Sequence, residues 1–412
     1  MTEKSELRRP IRVAVLNTHP IQYFAPLYAY LARRVPEIHL TVLYCSDSSL
    51  RGAVDAGFER SVQWDIDLLA GYEYRFLGSA ARTRTPAGFW SLVVPEVWSE
   101  LRSGQYDVLW LHGYGYFACV LSFIAAKSMG MPVLLRGETH LSLSRRGWRR
   151  WLRDRLLRRA SAWIDAFLAI GSRNRDYYRS LGVEDSRIHL VPYSVDNQRF
   201  TSAAQMTDLQ RTSMRKKLGF TSDIPIVLYA SKLVERKHPH TLMKAVSQLQ
   251  QQGVRLGLCY VGSGPMEPAL RQLETTLGLT DCVYTGFVNQ SELPAVYAAC
   301  DIFVLAAESE PWGLVVNEVM CAGLPVIIGE QVGCAADLVV PGKNGCLVSA
   351  GDVDELARAI SGLAQDAVKR NHMRAESRVR MAAWGFPQCA EGLAQAVRRV
   401  GKSAQSRAPE QV

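Results

Sequence analysis

The sequence predicts an α/β protein built from two Rossmann-like doubly wound domains that face each other across a cleft. Three observations carry that prediction. Short aliphatic and β-branched runs alternate with amphipathic stretches over nearly the whole chain, the order of strand and helix in a doubly wound sheet. The runs are continuously apolar, as parallel strands covered on both faces should be. The pattern pauses at a polar stretch, 196–223, and then resumes, so the 412 residues divide into two cores.

In order, the first series is IRVAVLNT (11–18), LTVLYCS (40–46), YRFLG (74–78), DVLWLHG (107–113), PVLLRGE (132–138), AFLAIGS (166–172) and IHLVPYS (188–194). The second is PIVLYASKL (225–233), LGLCYVGSG (256–264), CVYTGFV (282–288), DIFVLAA (301–307) and PVIIGE (325–330). Helical patterns cover 23–34 and 116–129, with a short piece at 209–218 inside the pause. The boundary is expected near 193–201, giving an N-terminal domain over 1–195 and a C-terminal domain over 196–385. A helix over 386–402 is placed to return to the first domain, and 403–412 read as a disordered tail.

Composition narrows the classes. No apolar run approaches the ~18 residues of a membrane span, and no long apolar stretch precedes the first strand as in a secretory signal. A cytoplasmic protein is expected. The nine cysteines form no CxxC and no zinc-type spacing, so they read as small buried hydrophobes and no metal is assigned. Asp65-Ile66-Asp67 and Asp352-Val353-Asp354 match a metal-binding DxD, but such triplets arise by chance, and the second opens a helix where acids belong. The net charge of +9 calls for an anionic partner. Much of it is local: from Arg145 to Arg159, eight arginines accompany one acid, Asp154. Over 145–164, Trp148, Trp151, Leu152, Leu156, Ala160 and Trp163 share one helical face. That pattern suits a helix on an anionic membrane surface, at the inner face of the membrane. It equally suits a core-facing stripe with a solvated basic back. No aromatic-and-basic module for nucleic acid is present.

The chemistry concentrates in AAESEPWGLVVNEVMCAGLPVI (306–327). Glu310 precedes a helix that starts near Leu314, and Glu318 falls in its second turn. The amides of Trp312, Gly313 and Leu314 would point outward with the positive end of the helix dipole, offering donors for a phosphate between two carboxylates that accept hydroxyls. Upstream, Lys232 and Lys237 follow the second domain's first strand, where two ammonium groups could neutralise a departing diphosphate without a divalent metal. Gly262-Ser263-Gly264-Pro265 opens a helix after a strand, letting backbone approach a ligand. Thr285-Gly286-Phe287-Val288 ends the next strand, where a base could stack or bond. Each piece also has a plain structural reading, as a helix-end acid, a basic turn or a strand-end glycine.

In this order the pieces resemble the retaining glycosyltransferases of family 4, which have the GT-B fold. The E-x7-E segment followed by CAGLPVI is the most specific mark, with the basic pair second. Gly333 to Asp337 and Pro341 to Gly345 resemble the family's later glycine-rich turn and PxxNG-type loop. The resemblance implies a nucleotide sugar as donor, no cofactor or metal, and a glycan or lipid-linked acceptor of cell-envelope or exopolysaccharide synthesis. It implies that Glu310 faces the donor sugar, that Glu318 binds the ribose, and that Lys232 and Lys237 hold the diphosphate with the amides of Gly313 and Leu314. The family's retention admits two accounts: the leaving diphosphate oxygen takes the acceptor proton, or Glu310 acts as a nucleophile. The chain departs from the family in three places. Lys232 stands where Arg is typical, which keeps the charge and loses the bidentate fork. Asn17 to Tyr23 replaces a glycine pair, making His19 and Gln22 acceptor-side candidates. Glu138 occupies the place of a strand-end histidine, with His140 and His112 as further candidates. The competing readings are a nucleotide-sugar epimerase or a phosphorylase on the same fold, and a non-catalytic glycan- or nucleotide-binding protein.

Overall fold

The structure, a computed structural model, describes residues 9–405 apart from 53, 56–59, 79–82, 144–147 and 204. The first domain carries strands β1 (Ile11–Asn17), β2 (Ile38–Tyr44), β5 (Glu73–Phe76), β6 (Val108–His112), β7 (Val133–Arg136), β8 (Ala166–Ala169) and β9 (Ile188–Leu190), all parallel, in the order β5-β2-β1-β6-β7-β8-β9. Between β2 and β5 the chain makes a small antiparallel hairpin of β3 (Val54–Asp55) and β4 (Arg60–Ser61). The second domain carries β10 (Ile226–Ala230), β11 (Gly257–Val261), β12 (Cys282–Gly286), β13 (Ile302–Leu305), β14 (Val326–Gly329) and β15 (Gly345–Val348), also parallel, in the order β12-β11-β10-β13-β14-β15.

Side-chain alternation explains why these runs are apolar throughout. Val13 and Val15 of β1 join a core with Leu27, Tyr28 and Trp110 on one face of the sheet, and Ala14 and Leu16 join Cys119 and Ala125 on the other. Both faces are therefore dry. Burial of each large apolar side chain contributes roughly 1.5–3 kcal/mol. In the second domain, Leu228 and Phe303 point into one core while Val227 and Val304 point into another.

The strand order reverses beside β1 in the first sheet and beside β10 in the second. Ligands of such sheets bind at the carboxyl ends of the strands flanking that switch. The loops leaving β1, β10 and β13 therefore converge on one cleft.

The last helix, Phe386–Gln405, lies against β9, β8, β1 and β6 of the first sheet. Gly392 permits the approach: a Cβ there would sit 1.9 Å from the Leu190 carbonyl oxygen. The helix reaches Gln405, so residues 403–405 of the expected tail are helical, and 406–412 lie outside the described residues. Three strands escape the sequence reading. β15 hides behind the turn signal of Pro341 to Gly345, and β3 and β4 are two residues each, too short for any periodicity.

The arginine-rich stretch forms a helix over Trp148–Ala160 and a turn over Ser161–Trp163. Its start at 145–147 lies outside the described residues. A core-facing stripe is overturned: Trp148, Trp151 and Trp163 are 70 %, 63 % and 68 % exposed, and Leu152 and Leu156 are exposed with them. The helix instead turns Leu157 toward the core and anchors Asp154, which accepts from the Tyr177 hydroxyl at 3.0 Å and pairs with Arg153 at 2.9 Å.

Candidate active site

On the second domain, the chain leaves β10 into a 3-10 turn, Glu235–Lys237, and His238 takes a left-handed φ of 52° before the helix Pro239–Gln251. That turn buries Lys237 against the loop that follows β13. The Lys237 ammonium lies 2.8 Å from Glu310 Oε2 and donates to Ser231 Oγ at 2.6 Å. Burial lowers the Lys237 pKa, Glu310 opposes that, and the charges of Arg236 and Lys232 add to it. Arg236 donates to the Ser309 carbonyl at 2.5 Å and stands 3.5 Å from Glu310 Oε2, while the Glu308 amide donates to the Arg236 carbonyl at 2.9 Å. Three cations and one carboxylate thus share the mouth of the helix Leu314–Cys321. Arg236 was not singled out in the sequence. Its adjacency to Lys237 was the available signal.

Gly262-Ser263-Gly264-Pro265 packs closely on a neighbouring loop of its own domain. Gly262 and Gly264 have φ of 124° and 159°, and a Cβ on either would sit 2.3 Å from the Ser231 carbonyl oxygen or 2.6 Å from that of Leu233. The Leu233 amide donates to the Ser263 carbonyl at 3.1 Å, and the Met266 amide to the Leu233 carbonyl at 3.1 Å. The close approach is to the loop bearing Lys232, and Pro265 stays exposed.

Glu318 is 1 % exposed, and its Oε2 accepts from the Tyr297 hydroxyl at 2.8 Å. Its Oε1 has no partner at hydrogen-bond distance among the described residues, although the Tyr23 phenol is near enough to respond to its charge. Burial pushes the Glu318 pKa up to about 7, opposed by Tyr297, Arg199 and Tyr23. Trp312 turns its side chain away from the open cleft. Its Nε1 donates to Asn317 Oδ1 at 2.9 Å, its ring stacks on Trp384 at 5.7 Å, and it fits where Gly171 has no Cβ. Asn317 and Trp384 both donate to the Tyr193 carbonyl at 3.0 Å, forming a buried seam between the domains. Asp337 adds to that seam: it accepts from the Ser172 amide at 2.9 Å, at the start of the helix Ser172–Ser180 of the first domain.

The first domain's candidates separate clearly. His112 bonds the Tyr28 hydroxyl at 2.9 Å, packs on Phe24 and Trp110, and has its pKa pushed well down by burial, with Arg136 adding to that. His140 is 1 % exposed and contacts the Glu310 carbonyl oxygen at 3.2 Å, so it joins the domains without opening to the cleft. His19, half-buried beside Thr18, has its pKa lowered to about 4 by burial and is neutral at pH 7. Gln22 lies in the same loop, also half-buried. Glu138 alone is an exposed carboxylate at the end of β7. Its neighbours are pinned: Tyr178 accepts from the Gly137 amide at 2.8 Å, and Tyr114 bonds Thr139 at 2.7 Å. Desolvation raises the Glu138 pKa, the Tyr193 hydroxyl and Arg136 oppose this, and Glu310 adds to it, so the two carboxylates sense each other across the cleft. Arg136 itself is buried over the faces of Phe24 and Tyr193, and none of its three guanidinium nitrogens has a hydrogen-bond partner among the described residues.

Two Rossmann-like halves with this paired-charge site between them define a protein of the GT-B type. Residues 20–194 match the family described as "Glycosyl transferase 4-like domain", and residues 210–380 match "Glycosyl transferases group 1". The chain belongs to the family 4 glycosyltransferases. It is 31 % identical over 245 residues to a GDP-mannose-dependent monoacylated alpha-(1-6)-phosphatidylinositol monomannoside mannosyltransferase of Corynebacterium glutamicum, covering 58 % of this chain and 63 % of that protein. It is 36 % identical over 153 residues to the lipopolysaccharide core biosynthesis glycosyltransferase LpsE of Rhizobium meliloti, covering 37 % of this chain and 43 % of that one. The chain therefore matches less than two thirds of the length of these relatives. Among solved structures, Anabaena HepE in complex with UDP superposes with a TM-score of 0.73 at 18 % identity, over 94 % of this chain and all of that one. At that identity the likeness concerns the fold alone.

Proposed function

We propose that the chain transfers a hexose-type sugar, with retention, from a nucleotide sugar to a glycan or lipid-linked acceptor in cell-envelope or exopolysaccharide synthesis. One observation carries the reading: Lys237 and Glu310 meet at 2.8 Å at the mouth of a helix, flanked by Arg236, where the switch points of both sheets face the cleft. A diphosphate seated there gains the cations and the first-turn amides of the helix, which stabilise negative charge as the sugar departs. The sugar then lies toward Glu310. Oε1 of Glu318 is an acceptor for a ribose hydroxyl, since a buried oxygen without a donor is costly to leave unmatched.

Glu138 is the acceptor-side group in this reading, because the neighbouring histidines are already engaged. Lys232, Lys237 and Arg236 supply the positive charge that a divalent ion would otherwise bring, so the reaction needs no metal. The exposed tryptophans and arginines of the helix Trp148–Ala160 would seat the first domain on an anionic membrane face, next to a lipid-linked acceptor. The names of the mannosyltransferase relatives favour an acceptor of that kind.

The test is release of sugar from a panel of nucleotide sugars, followed with Glu310→Ala and Lys237→Ala. Turnover by the wild type that collapses in both variants supports the proposal. Binding without turnover in every donor would favour a binding module, and an altered nucleotide sugar formed without acceptor would favour an epimerase. A thermal-shift screen of the same panel identifies the donor, since a bound ligand stabilises the fold by mass action.

A further inference from the structure

Segment 60–67 of the first domain crosses to the second domain at the end of β12. The Trp64 ring lies 5.8 Å from that of Phe287, and the Arg60 guanidinium sits 5.1 Å above the same ring. Asn289 donates to the Gln63 carbonyl at 2.8 Å, and the Asp65 amide reaches Asn289 Oδ1 at 3.4 Å. The Asp65 carboxylate accepts from the Ser291 amide at 3.2 Å and from the Ser291 hydroxyl. Gln63, Asp65 and Ser291 are exposed and Trp64 and Phe287 half-buried, in contrast with the seam at Tyr193, where Asn317 and Trp384 are buried. The domains therefore touch in two ways: a dry seam deep in the cleft, and a small polar clasp at its rim.

The place of the clasp gives it a use. It grips the strand end next to β11, and the β11 and β12 loops continue the row of strand ends that begins with the Lys237 turn. On the nucleotide-sugar reading, the nucleoside of a diphosphate held at Lys237 can extend along that row to Phe287, where the β12 strand end could take a base. We propose that Trp64 and Asp65 are donor-specificity residues of the first domain: Trp64, with Phe287 and Arg60, forms the outer wall of the subsite for the nucleoside's base, and the Asp65 bond to Ser291 holds that wall shut. A planar base suits two aromatic rings and a guanidinium, which offer faces and a cation to its π system. The inference rests on the nucleotide-sugar reading above. It also gives Asp65, the first acid of a DxD triplet, a role as an acceptor of protein hydrogen bonds.

The test is calorimetric titration of the full chain with GDP, UDP and ADP and, separately, with inorganic pyrophosphate, which has no base. Trp64→Ala, Asp65→Ala and Ser291→Ala should each weaken the preferred nucleoside diphosphate by about tenfold, as expected for losing a base-stacking contact. Trp64→Phe should restore most of that loss. Pyrophosphate should bind all variants as it binds the wild type. Unchanged nucleotide affinity in the three variants overturns the inference. So does a parallel loss for nucleotide and pyrophosphate, which would mean that the clasp only supports the fold. If the wild type binds pyrophosphate but none of the nucleoside diphosphates, the nucleotide-sugar reading fails first, independently of the variants.

Discussion

The two faces of the cleft handle charge in opposite ways. On the second domain, Lys237 and Glu310 neutralise each other at 2.8 Å and Arg236 braces the same loop. On the first domain, Arg136 is buried with unpartnered guanidinium nitrogens and Glu138 is left open at the strand end above it. A site whose charges are matched before the ligand arrives can accept an anion with little rearrangement, because the donors are already aimed. Glu138 has the Tyr193 hydroxyl and the charge of Arg136 beside it, but no ion pair at contact distance among the described residues. On the proposed reading, the difference teaches that the donor side is preorganised and that the acceptor side relies on its substrate.

The strongest way to break this comparison is to unmatch the donor face. Lys237→Ala removes the ammonium that would face a leaving diphosphate and leaves Glu310 without its nearest partner. Turnover should fall by about 10²–10³, the scale of losing one preorganised charge donor. Lys232→Ala should cost less, because Lys237 and Arg236 remain beside Glu310. Steady-state rates with the preferred donor check the ranking. Equal losses would show that the cations act as a diffuse field and not through the close pair.

The next prediction concerns Glu318, a buried carboxylate with no ion pair among the described residues. Glu318 titrates at about 7 in the folded protein, above its ordinary value of 4.5, because it is buried. The folded state therefore holds a proton that the unfolded chain releases. The stability this gives is complete below about pH 4.5 and is lost as pH rises through about 7. Glu318→Gln lacks that slope, so at pH 8 it should gain on the order of 3 kcal/mol relative to wild type, compared with pH 4.5. Urea unfolding of both proteins across pH 4.5–8 measures the difference. Parallel curves would mean that Glu318 is charged in the fold, held by Tyr297, Arg199 and Tyr23.

Legibility in the sequence followed the same division. The donor face was readable because its groups sit in short segments: Lys232 and Lys237 in one turn, Glu310 and Glu318 around one helix start, each at the end of a recognisable apolar run. The strand series was readable because the central strands of each sheet are dry on both faces, so their runs are apolar throughout. The acceptor face was not, because it is assembled across strands. His112 looks as free as Glu138 until Tyr28 and Phe24 are seen around it, and these come from a helix some 84 residues earlier in the chain. The clasp was hidden for the same reason, since Asp65 and Ser291 are 226 residues apart. Nor could periodicity decide the direction of the arginine-rich helix: an apolar stripe turned outward has the same spacing as one turned inward.

Glu138 sharpens the comparison from the acceptor side. If it acts on the acceptor, Glu138→Gln should impair transfer to an acceptor by about 10²-fold, the lower range for losing a positioned acid–base group, and leave release of sugar to water nearly unchanged. The ratio of transfer to hydrolysis, measured with one donor, isolates that difference. Equal losses in both reactions would place Glu138 with the donor machinery. Its raised pKa adds a pH signature, since the ionised form becomes available as pH rises, and the Gln variant should lose that limb of the transfer profile.

The smallest effect is expected on the outer surface of the same domain. The helix Trp148–Ala160 exposes tryptophan and leucine on a surface that also carries arginines, so it meets both requirements of an anionic interface, apolar area and positive charge. Trp151→Ser should weaken sedimentation with phosphatidylglycerol vesicles by about threefold, and Trp148→Ser with Trp151→Ser by about tenfold, since each indole contributes a separate buried area. High salt should weaken the wild type as well, because the arginine share of the attraction is screened. Hydrolysis of a soluble donor should not change, as neither tryptophan lies at the cleft groups described above. Vesicle binding that survives the double substitution would move the membrane contact elsewhere and leave the exposed indoles to a protein partner.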